Sequence, residues 1–158
     1  TNTQFINGFA LLGRYGLVSS IAAEHQDMAK VARLAERFPD LTIVLDHAGL
    51  PQKRTLEYFE AWKAGMAEVS RSDNVVCKIS GLGMADNQWS VQSIRPYVET
   101  CIELFGCERA LFASNWPIDS LWSTYGNLLG AYLEITDSFN SSEKHQLFAL
   151  NAERIYGI

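Results

Sequence analysis

The sequence predicts an α/β fold of the (β/α)8 barrel type, represented by four strand–helix units, and three observations predict it. Short β-prone apolar runs alternate along the chain with stretches whose apolar residues recur at helical spacing. One of these runs, Thr42-Ile43-Val44-Leu45, is β-branched and apolar without a break, the pattern of a strand buried on both faces of a parallel sheet. No Gly-x-Gly-x-x-Gly follows the first strand, as it usually would in an open doubly wound sheet that binds a dinucleotide. Four strand–helix units make half of an eight-stranded barrel.

A helical pattern starts almost at the first residue. After Gly16, residues 17–22 read as the first strand, and Met28, Val31, Ala32, Ala35 and Phe38 mark one face of the helix that follows. Pro39-Asp40 breaks that helix, and residues 42–45 are the second strand. Phe59, Trp62, Met66 and Val69 form the next helical stripe, and residues 74–79 the third strand, ending at Ser80-Gly81. Ile94, Val98, Ile102 and Phe105 form a third helical face that Gly106 stops, and residues 110–113 are the fourth strand. Residues 121–133 and 143–155 read as closing helices, the last with Asn140 and Glu143 at capping-box spacing.

With 158 residues and 47% apolar content, residues 1–158 are expected to form one folding unit with a real core. The net charge of −5 and the lack of any Lys/Arg run exclude a nucleic-acid surface or an anionic-membrane patch, since both depend on clustered positive charge. No stretch approaches the roughly 20 apolar residues of a membrane span, and Thr1-Asn2-Thr3-Gln4 does not resemble a leader. A cytoplasmic protein with a small-molecule partner is expected. Cys77, Cys101 and Cys107 are odd in number and lack Cys-x-x-Cys spacing, which points to reduced structural thiols.

Ligands of parallel α/β folds meet the carboxyl ends of the strands, so the residues just after each apolar run carry the chemistry. His47 follows a buried strand directly, and its imidazole needs a partner: a metal, a carboxylate, a substrate oxygen or a structural hydrogen bond. Asp46 is suited to orient that neighbour or to accept backbone N–H groups at the turn. His25, in Glu24-His25-Gln26-Asp27, is either a site residue or part of a solvated turn capping the next helix. Lys78 interrupts an apolar strand, and in a barrel without free edges it lines a cavity, where it suits a substrate carboxylate or carbonyl oxygen. Asp119 reads as a general base, a metal ligand or the N-cap of a helix starting near Leu121. Trp89, Trp116 and Met84 are either pocket walls or packing elements.

Three stretches together resemble the amidohydrolase-related (amidohydrolase 2) family of metal-dependent hydrolases, in the branch of pyrone-dicarboxylate, fucono- and rhamnono-lactonases. They are Ile43-Val44-Leu45-Asp46-His47-Ala48-Gly49-Leu50-Pro51, Val76-Cys77-Lys78-Ile79-Ser80-Gly81-Leu82 and Arg109-Ala110-Leu111-Phe112-Ala113-Ser114-Asn115-Trp116-Pro117-Ile118-Asp119. The closing Asn151-Ala152-Glu153-Arg154-Ile155-Tyr156 is similar as well. The resemblance implies that this is the C-terminal half of a TIM barrel, strands five to eight, with His47 as the strand-six histidine and Lys78 and Ser80 in the strand-seven motif. It also implies a lactone or carboxylic acid as substrate, and zinc, manganese or no metal at all, with His47 as a possible ligand.

Two departures from the family pattern matter. The strand-one His-x-His pair has no counterpart, and Asn115 occupies the place where many members carry an aspartate that acts as base or contacts a metal. An amide neither takes a proton near neutral pH nor supplies negative charge. The readings are therefore a lactone hydrolase using His47, Asn115 and Asp119, with Lys78, Ser80, His25 and Trp116 at the substrate; an inactive half-barrel assembly module; or an aromatic-acid decarboxylase on the same scaffold. Catalysis by the 158 residues alone is expected to be weak or absent. A half-barrel has two open sheet edges, which invite pairing into a homo-oligomer.

Overall fold

The computed structural model describes residues 2–158. Helix α1 (Thr3–Arg14) is capped by Asn2, whose side chain accepts from the Gln4 and Phe5 amides. Three strand–helix units follow: β1 (Ser19–Ile21) with α2 (Met28–Arg37), β2 (Ile43–Leu45) with α3 (Leu56–Val69), and β3 (Val75–Ile79) with α4 (Val91–Phe105). The last strand, β4 (Ala110–Phe112), leads to α5 (Tyr125–Ile135) and then to α6 (Ser141–His145) and α7 (Asn151–Tyr156), which a π-helical turn over Gln146–Leu150 joins. Thr55, Ser90, Thr124 and Asn140 cap α3, α4, α5 and α6 with side-chain oxygens, and the Asn140–Glu143 capping box forms as expected.

The strands lie in the order β1-β2-β3-β4, all parallel, with Ile43 opposite Val75 and Cys77 opposite Ala110. Side chains alternate between the two faces of a strand. Ile43, Leu45, Cys77, Ile79 and Ala110 point into the larger core with Met28, Trp62, Met66, Val98 and Tyr132 from the helices. Val44, Val76 and Leu111 form a smaller cluster on the opposite face, where Ile155 of α7 packs. By the same period of two, Asp46 continues the Val44 face and Lys78 the Val76 face. The face on which α7 packs therefore carries its polar residues toward the carboxyl ends.

Three expectations need correction. The first strand is three residues rather than six, and Leu17 before it is 54% exposed. Asn74 is not a strand residue: its side-chain amide donates to Ala35 O, Phe38 O and Leu41 O at 3.2, 2.9 and 3.0 Å, bracing the turn that launches β2. The helix expected from Leu121 starts at Tyr125, because Trp116 to Leu121 are taken up by a tight turn and Thr124 provides the cap.

All three thiols are free, with Cys77 and Cys101 buried. Among the described residues no helix is long and apolar enough to cross a membrane. Strands β1 and β4 each have one neighbour, so the sheet ends in two open edges. Beside β1 runs a groove of about 1150 Å³ whose apolar walls include Phe5, Phe9, Ile21, Val31 and Leu34.

Candidate active site

Strand β2 runs straight into a turn in which His47, Ala48, Gly49 and Leu50 all have left-handed backbones, with φ of 55°, 51°, 67° and 47°. For residues with a Cβ that conformation costs roughly 1–2 kcal/mol each. It persists only where surrounding contacts over-determine it, which is a mark of functional segments. Here Trp62 Nε1 donates to Ala48 O at 2.8 Å and the Leu50 amide to His47 O at 2.9 Å. A Cβ on Gly49 would meet the ends of the Met28 and Met66 side chains and force them to shift, on a backbone whose φ of +67° already favours glycine. The strain is offset by packing, and its product is the outward aim of His47.

The His47 ring is half-buried, with Nδ1 2.9 Å from the Ser80 hydroxyl at the end of β3. Room for the ring comes from Gly81: a Cβ there would lie 2.8 Å from His47 Nδ1 and 2.7 Å from the Met84 methyl, and its φ of +62° is itself left-handed. Burial is the largest influence on His47 and holds its pKa below the usual 6.5; Asp46 opposes the shift, Lys78 adds to it and Asp119 opposes it. The balance favours the neutral ring.

After β4, Asn115 also has a left-handed backbone, φ 54°, and its Nδ2 donates to Asp119 Oδ1 at 2.9 Å. Asp119 is 1% exposed, and its other oxygen, Oδ2, is buried without a partner. It is not the cap of a helix but a carboxylate folded under the Trp116–Leu121 turn. Burial raises its pKa above the ordinary carboxylate value, with the Asn115 hydrogen bond and the field of His47 pulling the other way. Asn115 and Asp119 thus work as a unit that the sequence presents as two separate candidates.

Lys78 is neither snorkelling nor free. Its Nζ stands 2.6 Å from Asp46 Oδ1 and 3.5 Å from the Tyr156 hydroxyl. Burial lowers its pKa, but the pairing with Asp46 and the contact with Tyr156 outweigh that and the net shift is upward. Asp46 therefore serves Lys78, not the backbone of its turn. His25 stands apart: its ring meets Tyr58 edge-on at 4.8 Å, its Nδ1 is buried without a partner, and the turn it occupies makes no side-chain cap to α2. Trp116 is 40% exposed on the rim and touches Tyr125. Trp89 and Trp122 close over Gly83, leaving no space for a Cβ.

Sequence reading missed two participants. Tyr156 reaches Lys78 from the last helix, and Arg54 ties the loops after β2 and β3 together. Each acts across a long sequence separation, and an arginine in a polar loop carries no local signal.

The family profile described as Amidohydrolase matches residues 3–158. The chain belongs to the amidohydrolase family. This amidohydrolase is 42% identical over 155 residues to the uncharacterized protein y4mH of Sinorhizobium fredii, a match covering 98% of this chain and 52% of that one. It is 34% identical over 130 residues to an L-fucono-1,5-lactonase of Burkholderia ambifaria, covering 78% of this chain and 44% of the lactonase. A crystal structure of an amidohydrolase from Burkholderia multivorans with bound zinc superposes with a TM-score of 0.92 at 25% identity, over 99% of this chain and 58% of that one. These similarities set the chain among amidohydrolases whose relatives include a protein named L-fucono-1,5-lactonase. It spans about half the length of the curated relatives it matches.

The zinc of that solved relative invites a test of fit. Among the described residues of this amidohydrolase, no group of three or more His, Cys, Asp and Glu side chains is placed to hold a metal ion. Catalytic zinc takes three protein ligands, so residues 2–158 do not complete such a site. His47 as a metal ligand would need donors from elsewhere.

Proposed function

We propose that this chain carries part of the reacting centre of a hydrolase that opens a lactone or related cyclic ester by water attack, on a scaffold that is half of an eight-stranded barrel. One observation carries the reading: Asp119, fully buried, has one oxygen held by Asn115 and the other without a partner. A buried carboxylate oxygen left unpaired is costly, and a water or substrate proton is the partner such an atom lacks. The lactonase-named relatives and the share of their length that this chain spans support the wider reading.

In this mechanism Asp119 Oδ2 takes a proton from water as the water oxygen bonds to the carbonyl carbon. A raised carboxylate pKa, nearer the working pH, improves that transfer. His47 Nδ1 is engaged by the Ser80 hydroxyl; in the tautomer in which that hydroxyl donates to Nδ1, Nε2–H is free to donate to the developing oxyanion. Collapse of the tetrahedral intermediate breaks the ring C–O bond, and the Asp119 carboxylic acid returns its proton to the leaving alkoxide. The product is an open-chain hydroxy acid. Lys78, whose charge Asp46 balances in the free site, offers an ammonium to the carboxylate that forms, and Trp116 borders the substrate.

The test is hydrolysis of a panel of sugar and pyrone lactones, followed by pH-stat, on the 158-residue chain and on a longer polypeptide that adds the remaining β/α units. Activity in the longer form that disappears in His47→Ala and Asp119→Asn, but survives a surface change such as Glu60→Gln, supports the reading. Equal rates in all forms would sink it.

A second reading, assembly without catalysis, is favoured by the open edges of β1 and β4, the apolar groove beside β1, and Tyr125, Leu129 and Leu133 exposed along one side of α5. Sedimentation equilibrium tests it: a stable monomer that hydrolyses lactones when extended argues for the enzyme, and a dimer inert in either form argues for the module.

A further inference from the structure

Arg54 lies in the loop between β2 and α3 and spends its guanidinium on two different loops. Nη1 donates to Pro51 O at 2.9 Å within its own loop, and Nη2 donates to Leu82 O at 2.6 Å in the loop after β3. Nε faces Asp86 Oδ2 at 3.7 Å, and the guanidinium stacks on the Tyr97 ring at 4.6 Å. Asp86 is held in turn by the Ser93 hydroxyl at 2.9 Å, in the capping turn of α4, and the Tyr97 hydroxyl donates to Lys53 O at 3.1 Å. The two joined segments are those that present His47 and Ser80.

We propose that Arg54 is a positioning residue that holds His47 against Ser80, and so selects which ring nitrogen faces the substrate. The role rests on the reading of His47 as a reacting group. The His47–Ser80 contact spans two loops whose own backbones are left-handed at His47 and Gly81. A single side-chain hydrogen bond nets only about 1 kcal/mol, too little to hold two strained loops in register without a brace. Arg54 is the brace because a planar guanidinium donates to two carbonyls on different loops at fixed angles while stacking on a ring, with the Asp86 carboxylate 3.7 Å from Nε as a charge partner. Lysine, a point charge on a flexible stem, satisfies at most one of these.

The experiment is ¹⁵N NMR of the imidazole nitrogens of His47 in the 158-residue chain at neutral pH, compared among the parent sequence, Ser80→Ala, Arg54→Met and Arg54→Lys, with the thermal midpoint of each. The expected result in the parent chain is dominance of the Nε2–H tautomer, with the Ser80 hydroxyl as the donor to Nδ1. Ser80→Ala and both Arg54 variants lose that bias by roughly five- to tenfold, about the population ratio that one net hydrogen bond sustains, while the Arg54 variants keep a cooperative unfolding transition. A parent ring without bias, or a bias fully kept in folded Arg54→Met, overturns the assignment. If Arg54→Met does not fold, Arg54→Lys and Asp86→Asn decide on the same readout. No substrate enters the measurement, so failure of the lactonase reading leaves this result standing, and the reverse holds as well.

Discussion

Ser80 and His47 lie 33 positions apart in the chain, and their side chains meet at 2.9 Å across the ends of neighbouring parallel strands. With Nδ1 occupied by the serine, only Nε2 is left to work. In the lactonase assay His47→Ala is expected to cost about 10²–10³ in rate, the usual effect of losing one oxyanion donor. Ser80→Ala is expected to cost roughly tenfold or less, as the loss of an orienting hydrogen bond does. Equal losses in the two variants would show that the serine is itself a reacting group.

Asp119→Asn separates activity from stability. Its rate is expected to fall by about 10²–10⁴, the contribution of a general base, without loss of stability at pH 7, because the amide removes a buried charge that the fold tolerates poorly. The sign follows from the raised pKa. The native state holds the Asp119 proton more tightly than the unfolded chain does, so this group's contribution is present below the ordinary carboxylate pKa and lost as pH rises through the folded value. Urea midpoints of both proteins, measured across that window, should converge at the acid end. Parallel curves would refute the assignment.

The charges around His47 act in opposite directions, and mutation can read each sign. Its NMR titration midpoint is expected below the ordinary imidazole value of 6.5. Lys78→Met should raise the midpoint, since it removes a cation and releases Asp46; Asp46→Asn should lower it further. Because the folded pKa is depressed, stability from this ring is present above the ordinary value and lost as pH falls through the folded one, the opposite sense to Asp119. A Lys78→Met midpoint that falls would contradict the ion-pair geometry.

Gly81→Ala combines a left-handed backbone with contacts below 3 Å to His47 and Met84. A destabilisation of about 1–3 kcal/mol is expected from such a site. Differential scanning calorimetry gives the cost, and the His47 ring signals should shift in the same variant. Gly16, with φ of +65° and open space around it, carries only the backbone part, so Gly16→Ala should be the milder of the two.

The order of strands and helices was readable from apolar periodicity because burial imposes that periodicity on every unit. The continuous run ending in Leu45 announces both β2 and the place of His47 just beyond its carboxyl end. What stayed hidden was decided across distance. Asp119 stays open between base, metal ligand and helix cap because a carboxylate two residues before the expected helix start at Leu121 fits the cap pattern as well, and nothing in the sequence tells that Asn115 folds back on it. Lys78 stands out in the sequence as a charge in an apolar strand, but neither reading of Asp46, orienting His47 or accepting backbone N–H groups, names Lys78 as its partner, since the register of β2 with β3 is a tertiary fact. Arg54 and Tyr156 had no periodicity to betray them.

Strand order equals chain order in this sheet, and each backbone ladder joins only consecutive strands. Each pairing closes one crossover of 24 to 33 residues and none reaches beyond the next unit, so the entropy of loop closure is met one unit at a time. The chain can assemble as a growing stack, each new β/α unit docking on the one already made as it becomes available. His47 and Ser80 then come together as soon as the third strand docks, before β4 brings Asn115 and Asp119 to complete the arrangement.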